Sequence, residues 1–310
     1  FYGAQYGGST TAILVNVPGE TSSVVTCLDG HEMAKQGKAG TALAIAAIAS
    51  FFAGTVATVV IAVLSLPLAA LVERSLRVGP GWSFDNWQGL GSVTEGTGLR
   101  VSPWDAVMVS LGTSLAATAL AMALALPAVR VVAHRPGGTA DRVLLLPLGV
   151  SSTTIGLGLL LAAGRPPLDL RGSWWLVPVA QALVALPLVV RAILPALRSI
   201  PDSVLDGAAL LGVAPAQRWW RVELPLVRRS VAAVAGLALV ACLGEFGATV
   251  FLARSGRPTV PVAIERLMSR PGGAGFGQAM ALSCVLVVLC ALVVALVDRW
   301  LAGDDGELAF

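Results

Sequence analysis

The chain has 310 residues, of which 56% are hydrophobic and only 13% charged, against about 25% charged in soluble domains. Mean hydropathy is +0.80, more apolar surface than a soluble globule of this size can hide from water. A net charge of +3 is too small to imply a nucleic acid or other polyanion as partner. The composition also excludes a disordered, collagen-like or disulfide-stapled chain, and leaves a membrane protein.

Residues 1–62 differ in texture from the rest. The stretch from Phe1 to Asn16 is uncharged, rich in glycine and hydroxyl residues, and holds both tyrosines of the chain, Tyr2 and Tyr6. It continues through Leu28-Asp29-Gly30-His31-Glu32-Met33-Ala34-Lys35 into an apolar helix from about Thr41 to Ile61. This part resembles the large membrane subunit of tripartite tricarboxylate transporters. The resemblance implies a fragment of that family with one hydrophobic helix, joined near Ile61 to Leu66 to a second kind of sequence. Because the chain begins at Phe1 and not Met, upstream sequence is expected to be lost or trimmed, as in a fused or misassembled reading frame.

Charge-free runs mark the candidate spans. They cover 34 residues between Lys38 and Glu73, 24 between Asp105 and Arg130, 22 between Arg142 and Arg165, and 19 between Arg171 and Arg191. A fifth follows Arg229, broken only by Glu245 before Arg254, and a sixth fills the 27 residues between Arg270 and Asp298. About 20 apolar residues cross the hydrocarbon core as a helix, and backbone groups in lipid must be satisfied within the segment. Six transmembrane helices are therefore predicted.

The connections set the orientation. Arg130 to Arg142 carries three arginines against Asp141, and Arg191 to Arg229 carries six against Asp202, Asp206 and Glu223. The positive-inside rule places both in the cytoplasm, and with them both termini. The loop from Leu252 to Gly277 then lies outside, although it holds Arg254, Arg257, Arg266 and Arg270 against Glu265. Trp82, Trp87, Trp104, Trp174 and Trp175 fall in the other outer connections, where belt anchoring suits their rings.

The cytoplasmic segment after Arg198 opens on Pro201-Asp202, a helix-start signature. Asp206-Gly207-Ala208 follows, then three residues, Gly212, nine residues, and Val222-Glu223-Leu224-Pro225. This spacing resembles the cytoplasmic loop of binding-protein-dependent ABC importer permeases, Glu-Ala-Ala, three residues, Gly, nine residues, Ile-x-Leu-Pro. Ala208, Gly212, Leu224 and Pro225 are unchanged, whereas Asp206, Gly207 and Val222 replace Glu, Ala and Ile. The resemblance implies two short helices that seat in a groove on a cytoplasmic ATPase. Ala208 and Gly212, four apart, are expected to share one smooth helical stripe.

Leu243-Gly244-Glu245-Phe246-Gly247-Ala248-Thr249 extends the likeness to iron(III), thiamine and molybdate-type permeases. Thr259-Val260-Pro261-Val262-Ala263-Ile264, Gly277 to Ser283, and Pro166 to Trp175 fit the iron and thiamine branch. Glu245 stands inside a span, where a carboxylate is costly and faces a cavity or a partner. Two readings stand: a gate or pathway residue, or a structural carboxylate between Gly244 and Gly247, which permit close packing. Ser151 to Thr154, with Gly156 and Gly158, give the third span a small polar face suited to helix packing. Cys27, Cys242, Cys284 and Cys290 form no CxxC or Cys/His cluster, so they read as small apolar residues. His31 and His134 read as solvated.

The fold class expected is all-α, a polytopic membrane protein resembling the type I ABC importer permease, over residues 63–303, with a short acidic tail at 304–310. The family resemblance implies no catalytic residues, metal or cofactor in the chain, and alternating access powered by ATP. Its implied partners are cytoplasmic ATP-binding subunits, an extracytoplasmic substrate-binding protein, a second permease half or subunit, and the bilayer of a bacterial cytoplasmic membrane. The cargo implied is a small solute, iron(III) or thiamine. A Walker A signature, which binds nucleotide phosphates, is absent from the sequence. The rival is an ion-coupled tricarboxylate transporter subunit, on the strength of the N-terminus, or a non-functional fused fragment.

Overall fold

The computed structural model describes residues 12–14, 24–93, 99–134, 146–164, 170, 173–269 and 275–303. It divides into two compact units, residues 1–70 and 71–310. The glycine-rich opening up to Thr11 and the acidic tail from Asp304 lie outside the described residues, as do the side chains of Cys27 and His134.

In the first unit α1 (Val24–Lys35) leads to α2 (Ala39–Leu76), whose last turns belong to the second unit. Gly37, at φ +77°, ends α1. Its amide donates to Ala34 O and that of Lys38 to Met33 O, the bond pair of a Schellman motif. His31 is half-buried here and its Nδ1 lies 3.0 Å from Ile13 O, so it is not the solvated side chain the sequence suggests. The apolar window of α2 is wholly exposed on the isolated chain, the state of a helix whose solvent is lipid or a partner helix.

The second unit is almost entirely helical. Its strands, β1 (Arg77–Val78) and β2 (Gly81–Trp82), form one small antiparallel hairpin. After the short α3 (Asp85–Gln88) come α4 (Pro103–His134), α5 (Ser152–Ala163) and α6 (Leu176–Arg198). Next are α7 (Asp202–Leu210), α8 (Pro215–Arg218), α9 (Leu224–Leu226) and α10 (Arg228–Leu243). The chain ends with α11 (Thr249–Leu252), α12 (Val260–Met268) and α13 (Phe276–Gly303).

Helices α4, α6 and α10 form the main core. Ala117, Ala121 and Ala125 of α4 are fully buried at four-residue spacing, which puts them on one face. Small side chains there let backbones approach closely, the usual basis of helix association in lipid. Gln181 of α6 donates from Nε2 to Cys242 O of α10 at 2.9 Å. The bond satisfies the donor end of the buried amide, which hydrocarbon cannot do. A second core joins α4, α12 and α13, where Ser110 Oγ accepts from Val260 N at 2.7 Å.

The all-α class stands, and the described residues hold four or five of the six expected spans. Among the described residues four helices are long and apolar enough to cross a bilayer, in α2, α4, α6 and α13. A fifth exists only if Trp219–Leu226 and Arg228–Leu243, bent by 68°, count together. The third charge-free run yields only the 12 residues of α5, about 18 Å of helix at 1.5 Å per residue against a core of about 30 Å. Its helix starts late because Leu146–Gly149 is a 3-10 turn and Ser151 is extended, with ψ 138°. The fifth run breaks after Leu243 and resumes only at Thr249.

That break is a packing site. A Cβ on Gly156 of α5 would run into Ala248 O and lie 2.7 Å from Ala248 Cα. One on Gly247 would meet Ser152 Oγ. The small polar face at Ser151 to Gly158 therefore packs helix against chain break. Tryptophans divide similarly: Trp82, Trp104 and Trp175 are exposed, whereas Trp87 packs on the second core and donates its indole N–H to Ser75 Oγ at 3.2 Å.

Candidate functional site

The segment from Asp206 to Pro225 is built from α7, a loop at Leu211–Ala214, α8, and a π turn at Trp219–Glu223 that runs into α9. Pro201 is the extended N-cap of α7, with Asp202 in the first turn. Asp202 is favourably placed by the helix dipole.

Gly212 ends α7 at φ +75°. Its amide donates to Ala209 O at 2.9 Å and Val213 N donates to Ala208 O at 3.1 Å, again a Schellman motif, whose C′ position favours glycine. Gly212 thus lies past the helix, not on a shared stripe with Ala208. Ala208 is buried, and nothing stands within 4 Å of a Cβ added at Gly212. Conformation, not space, calls for glycine there. Gly207 also has open space around it, so its departure from alanine serves no contact among the described residues.

The motif turn places Leu210 and Leu211 outward, 90% and 84% exposed. Asp206 and Pro225 are exposed and Gly207, Val222 and Leu224 half-buried. Two bulky apolar side chains are thus bared side by side at the tip of the segment.

Residues the motif does not name hold this tip on its base. Within the π turn, positions five apart share a hydrogen-bonding register. Arg218 Nε accordingly meets Glu223 Oε1 at 2.9 Å, with the Glu223 side chain 3% exposed. Trp219 is buried in the main core, and the Arg130 guanidinium of α4 lies 5.5 Å from its ring centroid, within cation–π range. A cleft of about 280 Å³ runs between the ends of α4, α6 and α7, lined by Ala133, Leu197, Arg198, Asp202, Leu205 and Glu223. Sequence reading missed Trp219, Arg130 and Glu223 as a group; the one signal was an acid among four arginines.

The chain matches the profile of the "Tripartite tricarboxylate transporter TctA family" over residues 1–235. A 52.8 kDa protein from the TAR-I ttuC' 3' region of Agrobacterium vitis is 63% identical over 74 residues, 24% of this chain and 15% of that protein. The putative 2-aminoethylphosphonate transport system permease protein PhnV of Salmonella typhimurium is 29% identical over 80% of this chain and 93% of its own. The molybdenum transport system permease protein ModB of Escherichia coli is 30% identical over 66% of this chain and 96% of its own. A crystal structure of a bacterial ABC transporter involved in alginate import superposes with a TM-score of 0.62 at 17% identity, covering 84% of this chain and 96% of that one. The chain belongs to the ABC importer permeases and, by its family profile, to the TctA family.

The TctA profile covers residues 1–235 and PhnV matches 80% of the chain, so the two memberships overlap. The high identity to the Agrobacterium vitis protein is confined to 74 residues, whereas likeness to ABC permeases extends over most of the chain, in sequence and in fold. An iron(III) or thiamine cargo is not among the names these relatives carry.

Glu245 of the permease sits in the break between α10 and α11. Its Oε1 accepts from Ala248 N at 2.9 Å, and its backbone O accepts from Thr249 Oγ1 at 2.8 Å. The carboxylate thereby satisfies an amide freed where the helix restarts.

Removing one member of a largely buried ion pair strands the other. Glu223→Ala is expected to destabilise the permease by about 2–4 kcal/mol, below the fully buried range because Arg218 keeps 21% of its surface in solvent. Thermal unfolding in detergent measures this. Part of the loss should return in R218A/E223A; a double variant no better than E223A would show that the pair is not the cause.

Proposed function

We propose that this permease is the membrane subunit of an ATP-driven importer for a small solute, working by alternating access in a bacterial cytoplasmic membrane with both termini inside. The observation that carries the reading is the α7–Gly212–α8 turn, which bares Leu210 and Leu211 at the family's motif spacing. ATP-binding subunits dock on Asp206, Gly207, Ala208, Gly212, Val222, Leu224 and Pro225, and pull the tip as they close. Arg218–Glu223 and Arg130–Trp219 pass that pull to α4 and the main core. An extracytoplasmic binding protein delivers the solute, and a second permease half or subunit completes the pathway. Glu245 holds the break between α10 and α11 in shape, close to that pathway. Residues 1–62 are a tricarboxylate-transporter-like fragment that contributes a helix and no transport of its own.

The cargo is a small anion. Two relatives are named for 2-aminoethylphosphonate and for molybdenum, which is an oxyanion in neutral water, and a transporter of the same fold for an acidic polysaccharide. Iron(III) and thiamine are cations and draw no support from these.

The second reading, an ion-coupled tricarboxylate carrier, is favoured by the TctA profile over 1–235. Proteoliposomes separate the two. The permease with its ATP-binding subunits and binding protein should accumulate 2-aminoethylphosphonate or molybdate only with ATP. Citrate uptake driven by a sodium or proton gradient in the absence of those subunits would overturn the importer reading.

A further inference from the structure

The loop from Leu252 to Gly277 breaks the charge bias of the predicted topology, and the fold shows where Arg254, Arg257 and Arg266 go. Arg266 is spent on architecture: its guanidinium donates to Arg254 O at 3.4 Å and Ala253 O at 3.3 Å. It thereby pins a tight turn, Arg254-Ser255-Gly256-Arg257, closed by Arg257 N donating to Arg254 O at 3.1 Å. Arg254 and Arg257 pair across this turn as an antiparallel bridge, and directly paired residues of such a bridge project to the same side.

Both arginines line one pocket of about 190 Å³, with Thr113, Ser173 and Trp174 among its walls. The pocket lies between the N-terminal turns of α4 and α6 and the end of α11. Neither guanidinium has a carboxylate within ion-pair distance among the described residues. Among the described residues, Glu245 Oε1 accepts from Ala248 N, and Glu265 Oε1 from Ser269 Oγ. Two like charges on a four-residue turn repel each other, and the low-dielectric wall of Met108, Val109, Val177 and Leu252 strengthens their field. An anion relieves that repulsion, and paired guanidinium forks suit tetrahedral oxyanions.

We propose that this pocket is an anion-binding site, in which Arg254 and Arg257 hold a small oxyanion of the phosphonate or tetrahedral metallate class. Resting on the proposed import function, it is the first contact of the solute with the permease, at the outer mouth. The volume admits one small oxyanion and no polymer. A phosphate of the same chemistry can also come from a lipid headgroup, so the test carries an arm for each source.

Purified full-length permease in a neutral detergent is titrated calorimetrically with 2-aminoethylphosphonate and with molybdate at low salt. Wild type is expected to bind at least one of them, with affinity falling as salt rises. R254Q/R257Q should bind about tenfold more weakly or not at all, and R254K/R257K should lie between, since lysine keeps the charge without the fork. The turn is exposed, and an unchanged elution profile and helical content certify the variants as folded. In nanodiscs, phosphatidylglycerol that competes in wild type but not in R254Q/R257Q would identify a headgroup as occupant of the same site. Failure of wild type to bind either anion, or equal binding by wild type and R254Q/R257Q, overturns the proposal. Binding needs no ATPase, so its outcome is independent of whether ATP-driven uptake is found.

Discussion

Gly212→Val is expected to leave the permease folded, yet to lower ATP-driven uptake by about tenfold or more. The residue sits at φ +75°, where a side chain costs about 1–3 kcal/mol and a β-branched one the most. No atom lies within 4 Å of its would-be Cβ, so the cost is not a clash that a neighbour can absorb. The strain is relieved by re-forming the turn, which dissolves the bonds from Gly212 and Val213 to Ala209 and Ala208 and swings Leu210 and Leu211 away from their outward pose. ATP hydrolysis then continues without moving the core. Gly212→Asn is the control, because asparagine tolerates the left-handed region, and should keep uptake within about twofold. Uptake and ATP hydrolysis measured together in proteoliposomes give the answer. Full uptake by the valine variant, or equal loss by the asparagine variant, would remove the turn from the mechanism.

A large effect on folding is expected at Gly156. Its added Cβ would meet three backbone atoms of Ala248, and a backbone cannot turn aside as a flexible side chain can. Gly156→Val should destabilise the second unit by about 3 kcal/mol, at the top of the usual overpacking range, by prising α5 from the break that Glu245 holds. Gly158, two residues on, has nothing within 4 Å, and Gly158→Ala should change the melting temperature little. Thermal unfolding of the two variants in detergent compares them directly. Equal melting temperatures would mean that α5 does not seat on the break.

These two glycines show how far the sequence reading reached. Gly212 was legible as a motif position, but spacing suggested a smooth helical stripe with Ala208, and the sign of φ assigns it to the turn instead. Glycine is used for want of a side chain in both cases, and the letter does not say whether the reason is conformation or space. The charge-free runs overstate helix length for a related reason. A charge-free run reports that a segment tolerates lipid, not that it stays helical throughout. The 3-10 turn at Leu146–Gly149 and the extended Ser151 delay α5, and Gly244 to Ala248 interrupt the fifth run.

By itself the sequence determined the solvent of this protein, its helical class and the spacing of the segment from Asp206 to Pro225. Each of these follows from composition or from residues close in the chain, where hydrophobicity and local bonding act without help. Only the tertiary structure decided that Arg218 reaches Glu223 through a π turn, that Arg130 covers Trp219, and that Glu245 bonds the amide of Ala248. It alone brought Arg254 and Arg257 to a pocket with Thr113 and Trp174. Those contacts depend on helix register and on where distant backbones meet, and neither is written in a charge count or a motif.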